Sequence, residues 1–67
     1  MELTVKLSAS LRNGRFPERA LDMPDGATLA QALAELGIPE TAVGIFLVNG
    51  RHARPADRLH AGDLVQL

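Results

Sequence analysis

Few side chains in this sequence have the type and spacing to do chemistry. His52 and His60 are the only histidines, and they stand eight residues apart with no cysteine anywhere in the chain. A zinc site needs three or four N, S or O donors brought close together. Two histidines on separate irregular segments do not supply that pattern, so both read as surface residues. Ser8 and Ser10 have no base beside them in sequence to activate a hydroxyl, which argues against a nucleophilic hydrolase. Asp57 and Asp63 each lie next to turn signals and read as residues whose carboxylates bond nearby backbone N–H groups, not as a general acid and base. The missing cysteines remove disulfides, zinc thiolates and any internal thiol that could attack or carry sulfur. No catalytic set, metal site or resident cofactor is indicated. What remains is recognition, by arginines such as Arg51 and by apolar residues placed on strands.

The elements that would position such residues are legible from periodicity. Leu3, Val5 and Leu7 alternate with Glu2, Thr4, Lys6 and Ser8, the pattern of a half-buried strand over 2–8. Asn13-Gly14 marks a turn, and Leu21 and Met23 alternate with Ala20 and Asp22 in a shorter second strand that Pro24-Asp25-Gly26 ends. Thr28 followed by Gln31 forms a capping-box pattern. Leu29, Ala32, Leu33 and Leu36 then share one helical face, and Gly37 and Pro39 stop the helix, which predicts it over about 28–36. Under three turns long, it needs a sheet to pack on. Gly44 to Val48 reads as a third strand turning at Asn49-Gly50, the dipeptide favoured in type I′ hairpins. A short return strand follows over Arg51–Arg54 until Pro55. The segment 54–63 reads as a compact loop with Leu59 tucked inward, and 63–67 as a last strand with Val65 and Leu67 on one face.

The order is β-β-α-β-β-β, an α+β protein with the helix covering one face of the sheet. The expected core is Leu3, Val5, Leu7, Leu21, Met23, Leu29, Leu33, Leu36, Phe46, Val48, Leu59, Val65 and Leu67. Sixty-seven residues suit one domain near the lower size limit for independent folding, and 46% hydrophobic against 22% charged residues is a globular balance. The N-terminal stretch has no apolar run of the signal-peptide kind, and no run is long enough to cross a bilayer. A net charge of −1 and only two aromatic residues argue against nucleic-acid binding. Charge is unevenly spread: no Lys or Arg falls between Arg19 and Arg51, while Asp22, Asp25, Glu35 and Glu40 do.

Taken in order, TVKLSASLRNGR, MPDGATLAQALAELGIP, VGIFLVNGR and LHAGDLVQL resemble the MoaD/ThiS family of ubiquitin-like β-grasp sulfur carriers across essentially the whole chain. The resemblance implies a mixed sheet of four or five strands in one domain over residues 1–67. Its first and last strands would lie side by side in parallel with the helix packed across. It also implies a cytoplasmic, non-enzymatic carrier that works with an adenylating activating enzyme and the large subunit of an acceptor synthase, in molybdenum- or tungsten-cofactor or thiamine biosynthesis. In that family the last strand runs into a tail ending Gly-Gly, whose carboxylate becomes a thiocarboxylate. Glycines suit the task because backbone without Cβ approaches an active site most closely.

Here the sequence departs from the family, because Gly-Gly does not follow Leu67. Reaching an active site about 20 Å away would take roughly six extended residues at about 3.3 Å each. Two expectations follow: a sulfur carrier whose tail is missing from these residues, or a tailless β-grasp subunit that binds a larger enzyme. On the sheet, Ile45, Leu47 and Leu64 have outward parity and would form an apolar patch on the helix-free face, suited to a partner. Arg51, with Arg54 and Arg58, could contact a pterin phosphate or an acidic surface on a synthase subunit. The expected partner-binding set is therefore Ile45, Leu47, Leu64 and Arg51.

Overall fold

The computed structural model describes residues 1–67. Five strands and one α-helix form in the order β1 (Glu2–Lys6), β2 (Glu18–Asp22), α1 (Leu29–Leu36), β3 (Leu47–Val48), β4 (Arg51–His52) and β5 (Leu64–Gln66). Single 3₁₀ turns occupy Ala9–Leu11 and Glu40–Ala42. The sheet runs β2-β1-β5-β3-β4, with β1 and β5 parallel at its centre and the other pairs antiparallel. This is the mixed sheet, with first and last strands adjacent and parallel, that the family resemblance implied.

The helix is specified at both ends. Gln31 N–H donates to the Thr28 hydroxyl (3.2 Å), and Thr28 N–H donates to the Gln31 side-chain carbonyl (2.8 Å), a reciprocal capping box. The free N–H groups of Leu29 and Ala30 are taken by the carbonyls of Asp57 (2.9 Å) and Pro55 (2.8 Å). The 53–62 loop thus completes the first helical turn, whose donors have no partner inside the helix. At the other end Gly37 adopts φ 69°, the left-handed region. The amides of Gly37 and Ile38 then bond the carbonyls of Ala34 and Leu33, a Schellman closure.

Fourteen apolar residues form the core between helix and sheet. Among them are Leu3, Val5, Leu21 and Val65 from the strands and Leu29, Ala32 and Leu33 from the helix. Three expected members differ: Leu36, Phe46 and Val48 are only partly buried and pack at the core's margin. Leu11, Ala27, Ala32 and Ile38 join the core instead, all buried. The reason is local. Leu36 stands on the last helical turn, where the chain is already closing through Gly37. Leu11 is carried inward by a 3₁₀ turn that has no alternating pattern to announce it. The strand boundaries shift as well. β2 begins two residues earlier than its apolar alternation, because Glu18 and Arg19 pair with Lys6 and Val5. β3 shrinks to Leu47–Val48, with Gly44 to Phe46 leading in irregularly.

Candidate functional site

The helix leaves one face of the sheet uncovered, and strand register decides which side chains stand on it. Val48 pairs with Val65, whose side chain is in the core, so Leu47 and its partner Gln66 project to the opposite side. Leu64 shares that side with Gln66 and pairs across β5 with Thr4. Ile45 precedes Leu47 by two residues and is the one large apolar side chain in the molecule that is exposed, at 44%. Leu47 and Leu64 are each half-buried.

Ile45 and Leu47 line one shallow groove of about 300 Å³ with Gln66, Lys6, Ser8 and Arg12. Leu64 stands farther along β5, beyond Gln66, on the same face but outside this groove. The three apolar residues therefore lie on a diagonal that runs from the lead-in to β3, at Ile45, through Leu47 to Leu64 on β5. Polar Gln66 and Thr4 sit beside them, and the Lys6–Glu18 ion pair (3.6 Å) forms the far border.

Arg51 does not join them. It pairs with Val48 and so takes the parity of the core-facing side, at the open edge of the sheet. His52, paired with Leu47, occupies the place next to the apolar diagonal. Arg51 instead lines a second concavity, of about 550 Å³, together with His52, Arg58, His60 and Asp57. Arg58 is engaged there, donating to the Gly26 carbonyl at 3.2 Å.

The remaining polar candidates have structural partners. The Ser8 and Ser10 hydroxyls lie 3.2 Å apart and bond each other. Asp57 Oδ2 accepts from the Arg54 amide (2.9 Å), a turn contact of the kind expected. Asp63 does more than its sequence neighbourhood suggested. Its Oδ2 accepts from the His60 amide (2.7 Å), while its Oδ1 accepts from Asn49 Nδ2 (2.8 Å), fourteen residues away. Asn49 Oδ1 in turn accepts from the Leu64 amide (2.9 Å). Asp63 is the only buried polar or charged residue, and this network satisfies it. The long-range half has no local sequence signal; only the adjacency of β3 and β5 brings the Asn-Gly turn against the Gly-Asp turn. No group of three or more His, Asp or Glu side chains is gathered to hold a metal ion, and no helix is long and apolar enough to cross a membrane.

A sheet of order β2-β1-β5-β3-β4 with one helix across it and an uncovered, partly apolar opposite face defines a ubiquitin-like β-grasp protein. Within that class the chain belongs to the ThiS family, whose model matches residues 5–67. Two solved structures share the fold. A Pyrococcus furiosus protein provisionally named molybdopterin converting factor, subunit 1, is 23% identical with a TM-score of 0.79, over 98% of this chain and 93% of that one. SAMP1 from Haloferax volcanii is 20% identical with a TM-score of 0.76, over 98% of this chain and 91% of that one. No curated protein sequence matches the chain.

Proposed function

We propose that these residues are the β-grasp body, one domain over 1–67, of a sulfur carrier in cofactor biosynthesis, of the molybdopterin or tungstopterin synthase small-subunit kind. The observation that carries the reading is the path of β5, joined to membership of a family of small ubiquitin-like carriers. β5 lies between β1 and β3. Its ladder continues through Leu67, whose amide donates to the Lys6 carbonyl (3.0 Å) and whose carbonyl accepts from the Ser8 amide (2.8 Å). A tail continuing from Leu67 would leave a fixed strand end beside the groove formed by Ile45, Leu47 and Gln66.

In this reading the body contributes no reacting group, consistent with a chain that has no thiol. It presents a terminal carboxylate to an adenylating activating enzyme, and the resulting thiocarboxylate to the large subunit of an acceptor synthase, in the cytoplasm. The name of the Pyrococcus furiosus relative, subunit 1 of a converting factor, supports a partner subunit for this chain. Ile45, Leu47 and Leu64 would dock the partners, with Arg51 at the neighbouring edge meeting acidic groups.

The test is the intact mass of the untagged protein from its native host, followed by ATP-dependent adenylation with the host's activating enzyme. A mass that places Gly-Gly at the end, with formation of the carboxyl adenylate, is the expected result. A protein and gene that both stop at Leu67 would overturn the carrier reading. The binding subunit that docks a larger enzyme through Ile45, Leu47 and Leu64 would then take its place.

A further inference from the structure

Asn-Gly is the dipeptide most open to deamidation, because the glycine amide nitrogen meets no Cβ as it attacks the side chain before it. In this chain the only such pair besides Asn13-Gly14 is Asn49-Gly50, at the tip of the β3–β4 hairpin. Its geometry is unusual for a site on an exposed turn. Asn49 is the single non-glycine residue with positive φ (53°), and Gly50 follows at φ 80°, the pair of left-handed conformations that a type I′ turn requires. Both polar atoms of the Asn49 amide are held: Nδ2 by Asp63 Oδ1 at 2.8 Å and Oδ1 by the Leu64 amide at 2.9 Å. The Asn49 backbone amide is fixed as well, donating to the Leu64 carbonyl at 2.8 Å. The acceptor is itself anchored, since Asp63 is 8% exposed and takes the His60 amide at 2.7 Å on its other oxygen.

We infer that Asn49 is a modification site gated by this latch: the fold holds it against deamidation, and local opening of the hairpin from β5 releases it. The chemistry needs only water. The Gly50 amide nitrogen loses its proton and bonds Asn49 Cγ, the Cγ–Nδ2 bond breaks, and nitrogen leaves as ammonia. One water then opens the cyclic imide at either carbonyl to give aspartate or isoaspartate. Ring closure requires Cγ to turn onto the Gly50 nitrogen, and in the folded chain that movement must first break both side-chain hydrogen bonds at once.

The product cannot restore the latch. An aspartate at 49 puts a carboxylate where Nδ2 now lies 2.8 Å from Asp63 Oδ1, replacing a hydrogen bond by a repulsion between like charges in a partly buried place. An isoaspartate adds a backbone methylene to a two-residue turn whose register, Val48 opposite Arg51, allows no extra atom. Deamidation is therefore one-way, and it loosens the turn of the hairpin that carries Leu47 from β5. Asn13, in the 3₁₀-to-β2 connection, makes none of these side-chain contacts and is an internal reference in the same molecule.

The test is a time course of the whole chain at mildly alkaline pH, with peptide mapping that resolves residue 49 from residue 13. It is run on the folded protein and on the protein in urea. Residue 49 is expected to react at least about tenfold more slowly folded than unfolded, while residue 13 changes little, as local protection requires. Equal rates at residue 49 in the two states would overturn the inference without any variant being made. Asp63→Ala, assayed where circular dichroism shows it folded, is expected to raise the folded-state rate at residue 49 several-fold. Thr28→Ala, which weakens the helix cap and leaves the latch intact, is the control for stability alone. If Thr28→Ala accelerates residue 49 as much as Asp63→Ala does, the latch is not the gate and the inference falls.

Discussion

The two faces of the sheet are built from the same alternating strands and obey different constraints. On the helix side, Leu3, Val5, Leu21 and Val65 are 5% exposed or less and meet Leu29, Ala32 and Leu33 across the layer. On the other side Leu47 and Leu64 are half-buried and Ile45 is open, among Thr4, Lys6 and Gln66. The first face is what folding demands, because a sheet this small needs one dry surface and one only. The second face gains little from apolar residues in folding terms, yet it keeps Leu47 and Leu64 on adjoining strands and Ile45 just before the first of them. Apolar side chains that the core does not need are where an interaction surface is to be sought.

The sharpest way to break that contrast is to cut into the closed face. Leu33 is 2% exposed at the centre of the helix, and Leu33→Ala leaves a void that a short helix on a small sheet cannot close. The expected loss is about 2–4 kcal/mol. A domain of this size has roughly 3–5 kcal/mol in hand, so the variant should be left only marginally stable, with a clearly lowered melting temperature. A thermal melt that matches the parent would mean the helix does not seal the core as described.

Next in size is the latch at the margin between the faces. Asp63→Ala leaves the His60 amide and Asn49 Nδ2 without their acceptor and is expected to cost about 1–3 kcal/mol, read by urea titration. Amide exchange should rise first at Leu64 and Asn49, ahead of the helix. Uniform loosening of the whole chain would show that the network does not join hairpin to β5 specifically.

The same contrast explains what the sequence made legible. Residues whose environment is set within a few positions could be read directly. Thr28 and Gln31 announced the capping box, Asn49-Gly50 announced the positive-φ turn, and the β1 alternation placed Leu3 and Val5 inside. Residues placed by long-range geometry could not be read in that way. Leu11 and Ile38 reach the core from a 3₁₀ turn and a helix exit, neither of which has a periodic face. Asp63 looked like a turn residue because half its bonds are local, and its contact with Asn49 exists only once β3 lies beside β5. Arg51 shows the same limit from the other side. It enters the expected partner-binding set by its charge, as a contact for a phosphate or an acidic surface, with its face left open. A two-residue turn puts Leu47 opposite His52, which leaves Arg51 on the other parity from the apolar diagonal. Register, not nearness along the chain, assigns a face.

A smaller effect is expected at the helix entrance. Thr28→Ala removes one half of the capping box, while Asp57 and Pro55 still serve Leu29 and Ala30, so the cost should fall near 1 kcal/mol. A cost well above that would mean that the backbone bonds from the 53–62 loop cannot hold the first helical turn without the Thr28 hydroxyl.

The smallest effect on stability is expected where the functional effect is sought. Leu47→Asp puts a charge on the uncovered face, in a half-exposed position flanked by Gln66 and His52, with water available to solvate it. The expected change in folding free energy is within about 1 kcal/mol, since surface positions away from caps and buried networks tolerate substitution. Binding should respond quite differently, because a partner that covers Leu47 must strip that carboxylate of water without offering it a cation. A co-purification from the native host, parent against Leu47→Asp, with Leu33→Val as a core variant that leaves the outer face alone, separates the two. If the same partners stay bound to Leu47→Asp while its melt is unchanged, the apolar diagonal is only surface. The opposite result, binding lost and fold kept, would show that the two faces of one sheet divide folding from recognition.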